Sequence, residues 1–264
     1  MWSDVVDLRD FYASSLGQVA ARAVRARLRH MWPDTRGGRV LGLGYAPPCL
    51  RPFLDEAERV IAAMPMGQGV LHWPRGGPNH SVLVDELDLP FPDNAFDRIV
   101  LVHAVENAEF LRQMLREVWR VLTDSGRMIV VVPNRRGIWA RIERTPFAHG
   151  HPYSATQLSR LLRDNLFTPT ATDGALFVPP SRSRMVLGAS PAWENLGHRL
   201  LPRFAGVVIM EATKQIYAVS AATARERRRR PAYVPARSIH RMPGGLTRRP
   251  AAALAQQEDR LHRE

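Results

Sequence analysis

Short apolar runs alternate with longer amphipathic segments over most of the chain. Several of these runs have the length and the β-branched content of buried strands. The predicted strands are 39–45, 59–63, 81–84, 97–103 and 128–132, with two further strand-like runs near 170–178 and 207–219. Strands that alternate with helices predict an α/β fold with a doubly wound, mostly parallel sheet. Ligands of such sheets bind at the carboxyl ends of the strands.

The spacing of apolar residues predicts helices before and between the strands. Ser3 can cap an N-terminal helix over residues 3–32, which Pro33 and the pair Gly37-Gly38 end. Further helices are predicted over about 48–57, 107–122 and 154–163. We expect the N-terminal helix to cover the ligand cleft, and plain packing on the core is the alternative.

Two runs carry a more specific pattern. The first reads Asp85-Glu-Leu-Asp-Leu-Pro-Phe-Pro-Asp-Asn-Ala-Phe-Asp-Arg-Ile-Val100, and the second reads Leu115-Arg-Glu-Val-Trp-Arg-Val-Leu-Thr-Asp-Ser-Gly-Arg-Met-Ile-Val-Val-Val-Pro-Asn134. Together they resemble the central half of the class I S-adenosylmethionine (SAM) methyltransferases, in the broad group that methylates quinone precursors and other small molecules. The resemblance implies a Rossmann-like, seven-stranded methyltransferase sheet and SAM as cofactor.

The first glycine-rich turn departs from the family pattern. The family ends its first strand with an acid and three glycines, whereas this chain has Gly42 at the acid position, Gly44 at the first glycine, Ala46 at the second and Pro48 at the third. The resemblance nevertheless implies that Gly42, Gly44 and Ala46 lie beside the methionine part of SAM. Gly44 retains the freedom that lets the backbone approach a ligand.

The other cofactor contacts implied by the resemblance lie after the second and third strands. The family carries an acid there for the ribose hydroxyls, and this chain has Met64 in the apolar run 63–66. Losing such a hydrogen bond costs about 1–3 kcal/mol when its partner is desolvated. Asp85 matches the residue that often accepts the adenine amino group, and Glu86 would line the same slot. An exposed loop acid is the alternative for Asp85.

Candidate chemistry follows the fourth and fifth strands. His103 is expected at the rim where cofactor and acceptor meet, where it could orient or deprotonate an acceptor hydroxyl, or be a packed neutral histidine. In the family, substrates often contact the segment after the fifth strand. The candidate substrate-binding residues there are Arg135, Arg136, His149, His151 and Tyr153, which could bind an anionic group or order the loop. With one cysteine in the chain, Cys49, and no clear third ligand, we expect no metal site.

The charge is strongly basic, with a net value of +12. Residues 223–264 hold eleven Arg and four acids, a net +7, without a periodic apolar face. We predict a methyltransferase-like domain over 1–222 and a disordered Arg-rich tail over 223–264. A solvated tail without a partner is one interpretation, and loose binding to nucleic acid or an anionic surface is another. No apolar run could span a membrane and no export signal is visible, so we expect a cytoplasmic protein.

Two functions remain open at this point. The first is a SAM-dependent methyltransferase that acts on a small or medium-sized acceptor, which could be anionic. The second is a degenerate methyltransferase-like domain that serves as a non-catalytic binding or regulatory module. The altered glycine turn and the missing ribose acid are the observations in favour of the second.

Overall fold

The computed structural model describes residues 4–181 and 183–216. Two helices, α1 (Val5–Ala13) and α2 (Ser15–Met31), precede β1 (Arg39–Gly44), α3 (Pro47–Leu50), β2 (Arg59–Pro65), β3 (Ser81–Val84), β4 (Phe96–Val102), α4 (Leu111–Val121) and β5 (Leu122–Pro133). The remaining elements are α5 (Ala155–Asp164), β6 (Phe167–Ala175), α6 (Arg184–Gly188), α7 (Ser190–Leu200) and β7 (Val207–Lys214). The predicted tail 223–264 and the end of the last predicted strand lie outside these residues.

The strands form one seven-stranded sheet in the order β3-β2-β1-β4-β5-β7-β6. The first five strands pair in parallel, and β7 pairs antiparallel with both β5 and β6. The prediction of a mostly parallel, doubly wound sheet is confirmed. Strand order reverses between β1 and β4, so the carboxyl ends of these two strands define the expected ligand crevice.

The apolar runs form strands because both sheet faces are covered. Residues on one face of β1 and β4, such as Val40 and Val100, pack with Val24 and Leu28 of α2. Alternate residues of the same strands, including Leu41, join a second core with side chains of α4. Central strands buried on both faces read as continuous apolar runs, which explains the sequence pattern.

The N-terminal region differs from its prediction, because it forms two helices and not one. Ser14 ends α1 and caps α2, with its hydroxyl oxygen accepting the Gly17 N–H at 3.1 Å. A side chain at Gly17 would overlap the Phe11 carbonyl oxygen, so the absence of a Cβ lets the two helices meet closely. The helices therefore turn at Ser14 and bring α1 over the strand ends.

Two predicted helices are shorter in the structure. The predicted helix 48–57 is reduced to α3 and a 3-10 helix over Arg51–Phe53, because Pro52 has no N–H and interrupts helical hydrogen bonding. The predicted helix 107–122 begins at Leu111, since the Asn107 amide donates to the His103 carbonyl at 3.3 Å and holds a turn there. Residues 66–80 form a loop without a helix.

The strand predicted over residues 128–132 is longer in the structure, where β5 runs from Leu122 to Pro133. Its residues 127–133 pair with β7. Within the part of the chain that the structure describes, no helix is both long and apolar enough to cross a membrane.

Candidate functional site

The turn after β1 is held by two glycines with different roles. Gly44 has a φ of 87°, and a side chain there would overlap the Val102 carbonyl oxygen of neighbouring β4. A Cβ at Gly42 would lie 2.5 Å from the Ala46 Cβ and 2.6 Å from Leu50 Cδ1. Position 42 is therefore filled by its neighbours, so the acid of the family pattern has no room in this packing.

The end of β2 is apolar, as the sequence indicates. Met64 is fully buried and also lines a cavity beside the β1 turn. Residues 59–66, which form β2 and its end, contain no carboxylate. Glu58 precedes the strand. A ribose at this strand end would find no acidic acceptor on β2.

The loop after β3 carries the two predicted adenine-slot residues. Asp85 is exposed, and its Oδ1 accepts the Leu87 N–H at 2.9 Å, which orders the turn. Glu86 is half-buried, and burial raises the pKa of its carboxyl. Both residues lie at the carboxyl edge of the sheet, where the sequence predicts them.

The same loop is anchored to α4 through the residues that carry the family resemblance. The Glu117 carboxylate accepts the Leu89 N–H at 2.9 Å and pairs with Arg120 at 2.6 Å. Arg120 also donates to the carbonyls of Leu89 and Phe91. The Arg-Glu-x-x-Arg pattern therefore fixes the loop that presents Asp85 and Glu86.

His103 lies in a buried polar network directly after β4. Its backbone φ is 53°, a left-handed conformation that is uncommon for a non-glycine residue. Its Nδ1 lies 3.1 Å from Glu106 Oε1, and its Nε2 lies 2.8 Å from the Tyr12 hydroxyl. Among the described residues, the other Glu106 oxygen, Oε2, is buried without a hydrogen-bond partner. The network therefore retains one unused acceptor at the strand end.

Aromatic side chains from α1 cover this network. The Tyr12 ring stacks on Tyr45 with centroids 5.6 Å apart, and Phe11 meets Phe147 edge-on at 6.1 Å. Desolvation raises the pKa of Tyr12 well above its ordinary value, so its hydroxyl stays protonated and can donate to His103 Nε2. The sequence analysis does not single out Tyr12, because its role depends on the bend at Ser14.

The predicted substrate-binding residues divide into two groups. Arg135, His151 and Tyr153 line a second cavity of about 490 Å³ beside α5. The His149 Nε2 instead lies 3.0 Å from the Glu143 carbonyl, and the Arg136 N–H donates to the Asn134 side chain. The His149 ring and the backbone of Arg136 thus help to order the loop, and substrate binding by these two residues stays a prediction.

Comparisons with known proteins relate this chain to methyltransferases. The model of the family described as "Methyltransferase domain" matches residues 50–130. Demethylmenaquinone methyltransferase of Thermus thermophilus is 26% identical over 156 residues, covering 58% of this chain and 63% of the relative. The 2-phytyl-1,4-naphtoquinone methyltransferase of Synechococcus elongatus is 31% identical over 98 residues, covering 37% of this chain and 36% of the relative. The chain thus spans less than two thirds of the length of these curated relatives.

Solved structures agree on the fold. A SAM-dependent methyltransferase from Thermotoga maritima has a TM-score of 0.55 at 17% identity, covering 80% of this chain and 96% of its own. The 1,6-didemethyltoxoflavin-N1-methyltransferase of Burkholderia thailandensis, solved with bound 1,6-didemethyltoxoflavin and S-adenosylhomocysteine (SAH), has a TM-score of 0.51 at 16% identity, covering 78% of this chain and 82% of its own. The resemblance to class I SAM-dependent methyltransferases is therefore confirmed.

Proposed function

We propose that this protein transfers a methyl group from SAM to a small or medium-sized acceptor. The observation that carries the proposal is the Tyr12–His103–Glu106 network, which lies at the end of β4 in a methyltransferase sheet. The methyltransferase-domain match over residues 50–130 supports the same reaction class. When bound, SAM supplies an activated methyl group, and the protein holds the acceptor close and aligned.

The residues at the strand ends fit SAM in part. The positive φ of Gly44 lets the β1 turn pack against the Val102 carbonyl of β4, and Glu106 Oε2 is a buried acceptor without a partner among the described residues. Asp85 and Glu86 offer carboxylates at the adjoining edge. The Gly42 and Met64 positions supply no carboxylate, so the polar contacts of the nucleoside would have to come from the β3 side.

His103 is the candidate group for handling the acceptor proton. With a proton on Nδ1 donated to Glu106, its Nε2 accepts a hydrogen bond, and Tyr12 now provides that bond. An acceptor hydroxyl would take the position of the Tyr12 hydroxyl to reach the same nitrogen. Glu106 would then position the ring and stabilise the charge that His103 gains.

The acceptor is proposed to be a small molecule that carries an anionic group. Arg135, His151 and Tyr153 share one cavity, and guanidinium and imidazole groups bind carboxylate or phosphate oxygens. The relatives described above are named as methyltransferases of demethylmenaquinone and of 2-phytyl-1,4-naphtoquinone. The proposal for this chain rests on its own cavity and leaves the ring system of the acceptor open.

Isothermal titration with SAH and SAM tests the cofactor proposal. We expect micromolar binding of SAH, accompanied by thermal stabilisation of about 2.7 kcal/mol at a ligand concentration 100 times the dissociation constant. Adenosine alone is the control, because it lacks the amino-acid part that should lie beside Gly44. Absence of binding at millimolar SAH would overturn the proposal.

A non-catalytic binding module is the second candidate. It is favoured by the filled space at Gly42 and by the buried Met64, which remove both acids of the family pattern. Such a module should bind neither SAM nor SAH, and it should keep the Tyr12–His103 bond in every ligand condition. Methyl transfer from labelled SAM to any acceptor would exclude this candidate.

A further inference from the structure

The segment between β6 and β7 contains a helix whose apolar side faces outward. Trp193, Leu196 and Leu200 of α7 are three and four residues apart, so they lie on one helix face. They are 41%, 56% and 67% exposed, respectively. A surface helix of a globular protein normally turns its apolar stripe toward the core. The described residues leave much of this stripe uncovered.

The side of α7 that packs on the protein is polar or small, which explains this orientation. The Glu194 carboxylate accepts the N–H groups of residues 176–178 at 2.7 to 3.3 Å. His198 Nε2 lies 2.8 Å from Asp173 Oδ1. A side chain at Gly197 would overlap the same segment, 176–178. These contacts hold the polar side of α7 inward and therefore turn the apolar stripe outward.

Exposed apolar side chains also flank the stripe. Met185 lies on α6, which contacts α7, and it is 85% exposed. Leu201 and Phe204 follow α7 and are both more than half exposed. We call these three residues and the α7 stripe the apolar face. Neither of the two cavities described above is lined by a residue of the apolar face, so its expected partner is another surface and not a small molecule.

The outer surface of the same segment is cationic. Arg184, Arg199 and Arg203 are exposed, and none of them forms a salt bridge with a described carboxylate. Glu194 is the one acid of residues 183–204, and burial against the protein raises the pKa of its carboxyl. The charge beside the apolar face is therefore positive.

The loop after β5 extends this positive charge. The Asn134 amide donates to the carbonyls of Arg203 at 3.1 Å and Ala205 at 2.7 Å, so the loop lies against the chain that follows α7. Residues 134–144 of the loop hold four arginines and one glutamate. Two neighbouring segments thus contribute an excess of arginine to this side of the molecule.

The combination of apolar and cationic side chains fits an anionic lipid surface better than other partners. In a two-fold dimer, the same arginines of both copies would approach each other across the interface and repel. Nucleic acid would pair with the arginines but would offer phosphates to the apolar face. At a bilayer surface, apolar side chains enter the acyl boundary while arginine stems keep their guanidinium groups at the headgroup phosphates. Trp193 suits that boundary, because its ring has an apolar body and a polar N–H.

We propose that the apolar face docks on an anionic lipid bilayer, with its side chains in the acyl boundary and the neighbouring arginines at the headgroup phosphates. The protein would then lie on the membrane surface without spanning it. The inference goes beyond the proposed methyl transfer and does not depend on SAM binding.

Co-sedimentation of the full chain with lipid vesicles tests this proposal. Vesicles of equal parts phosphatidylglycerol and phosphatidylcholine should bind the protein, and vesicles of phosphatidylcholine alone should bind it about tenfold more weakly or less. Added salt should weaken the binding, because the attraction of the arginines is screened. Absence of binding to the anionic vesicles would overturn the proposal.

Matched double variants locate the contact. Leu196→Gln with Leu200→Gln removes two exposed apolar side chains of α7 and should weaken vesicle binding about tenfold or more. Leu83→Gln with Phe110→Gln removes two exposed apolar side chains from β3 and from the start of α4, and should leave the binding unchanged. Both variants keep the net charge and residues 217–264. Equal binding by the two variants would therefore assign the attraction to charge elsewhere in the chain and overturn the role of the apolar face.

Fluorescence quenching by brominated lipids gives a second, independent readout. Trp193→Phe keeps an aromatic side chain, so it should retain vesicle binding and lose most of the quenching. Trp119→Phe is the control on α4, which packs on the opposite face of the sheet, and it should retain both. Equal quenching in the two variants would contradict the proposed contact. Sedimentation velocity without lipid covers the remaining occupant, since a dimer that Leu196→Gln with Leu200→Gln dissociates would assign the face to a second copy and overturn the proposal.

Discussion

The Tyr12 hydroxyl lies 2.8 Å from His103 Nε2, although ninety-one positions separate the two residues in the chain. This bond joins α1 to the carboxyl end of β4, where the ligand crevice of the sheet begins. The ring of Tyr45, in the turn after β1, stacks on the Tyr12 ring. Tyr12 therefore links α1 to the ends of both strands that border the crevice, β1 and β4. The Tyr12 side chain of α1 therefore covers His103 Nε2 at the crevice.

Replacing Tyr12 with Phe should destabilise the protein while leaving its aromatic stacking in place. The change leaves the buried His103 nitrogen unpaired, which costs about 1–3 kcal/mol. For a domain of this size, calorimetry should show a Tm lowered by about 2–10 °C. Tyr153→Phe is the control, because no hydrogen bond of its hydroxyl is found among the described residues. An unchanged Tm in Tyr12→Phe would contradict the network.

Restoring an acid at Gly42 should fail to restore the family site. An aspartate Cβ there would lie 2.5 Å from Ala46 and 2.6 Å from Leu50, and overpacking of this kind costs about 1–3 kcal/mol. Chemical denaturation of Gly42→Asp should show this loss without a gain in SAH affinity. Gly188→Asp is the matched control, since a Cβ at Gly188 meets nothing within 4 Å. Tighter SAH binding by Gly42→Asp would show that the turn relaxes.

An acid at Met64 should have the opposite effect on the cofactor. Met64 lines the cavity beside the β1 turn, so Met64→Glu would place an acceptor where the family binds ribose hydroxyls. Recovering two hydrogen bonds should tighten SAH binding by about tenfold or more in calorimetric titration. Met64→Leu keeps the apolar character and should leave the affinity unchanged. If the two variants bind SAH equally, the ribose does not lie at the end of β2.

Glu117 should make the stability of the protein depend on pH. The hydrogen bond from Arg120 lowers the pKa of the Glu117 carboxyl below its ordinary value of 4.5. The pair therefore stabilises the folded state above about pH 4.5, and this contribution is lost as the pH falls through the lowered folded-state pKa. Glu117→Gln should lower Tm at pH 7 and should converge with the unaltered protein in acid. The exposed Glu109→Gln control should show no Tm difference at pH 7, and a constant difference for Glu117→Gln would contradict the assignment.

The sheet could be predicted from the sequence because each of its buried strands is recognisable from its own residues. Buried parallel strands, such as residues 41–44 and 99–102, are continuous apolar runs. The Arg-Glu-x-x-Arg pattern of α4 is local as well. The structure shows that Glu117 and Arg120 of that pattern bind the backbone of the loop after β3, a contact that the sequence analysis does not predict.

The candidate site could be predicted only in part, because it depends on contacts between distant residues. His103 and Glu106 are near each other in the sequence, whereas the position of Tyr12 depends on the bend at Ser14. Pro52 carries a local signal that shortens the helix after β1, yet the resulting cavity also needs the loop 66–80.

Hydrogen–deuterium exchange with and without saturating SAH tests the central claim most directly. If SAM binds at the carboxyl ends of β1, β3 and β4, SAH should slow exchange in segments 42–48, 85–88 and 102–107. Segment 111–121 of α4 is the internal control and should not change. Unchanged exchange in all three segments at millimolar SAH, or protection confined to other parts of the chain, would contradict the account.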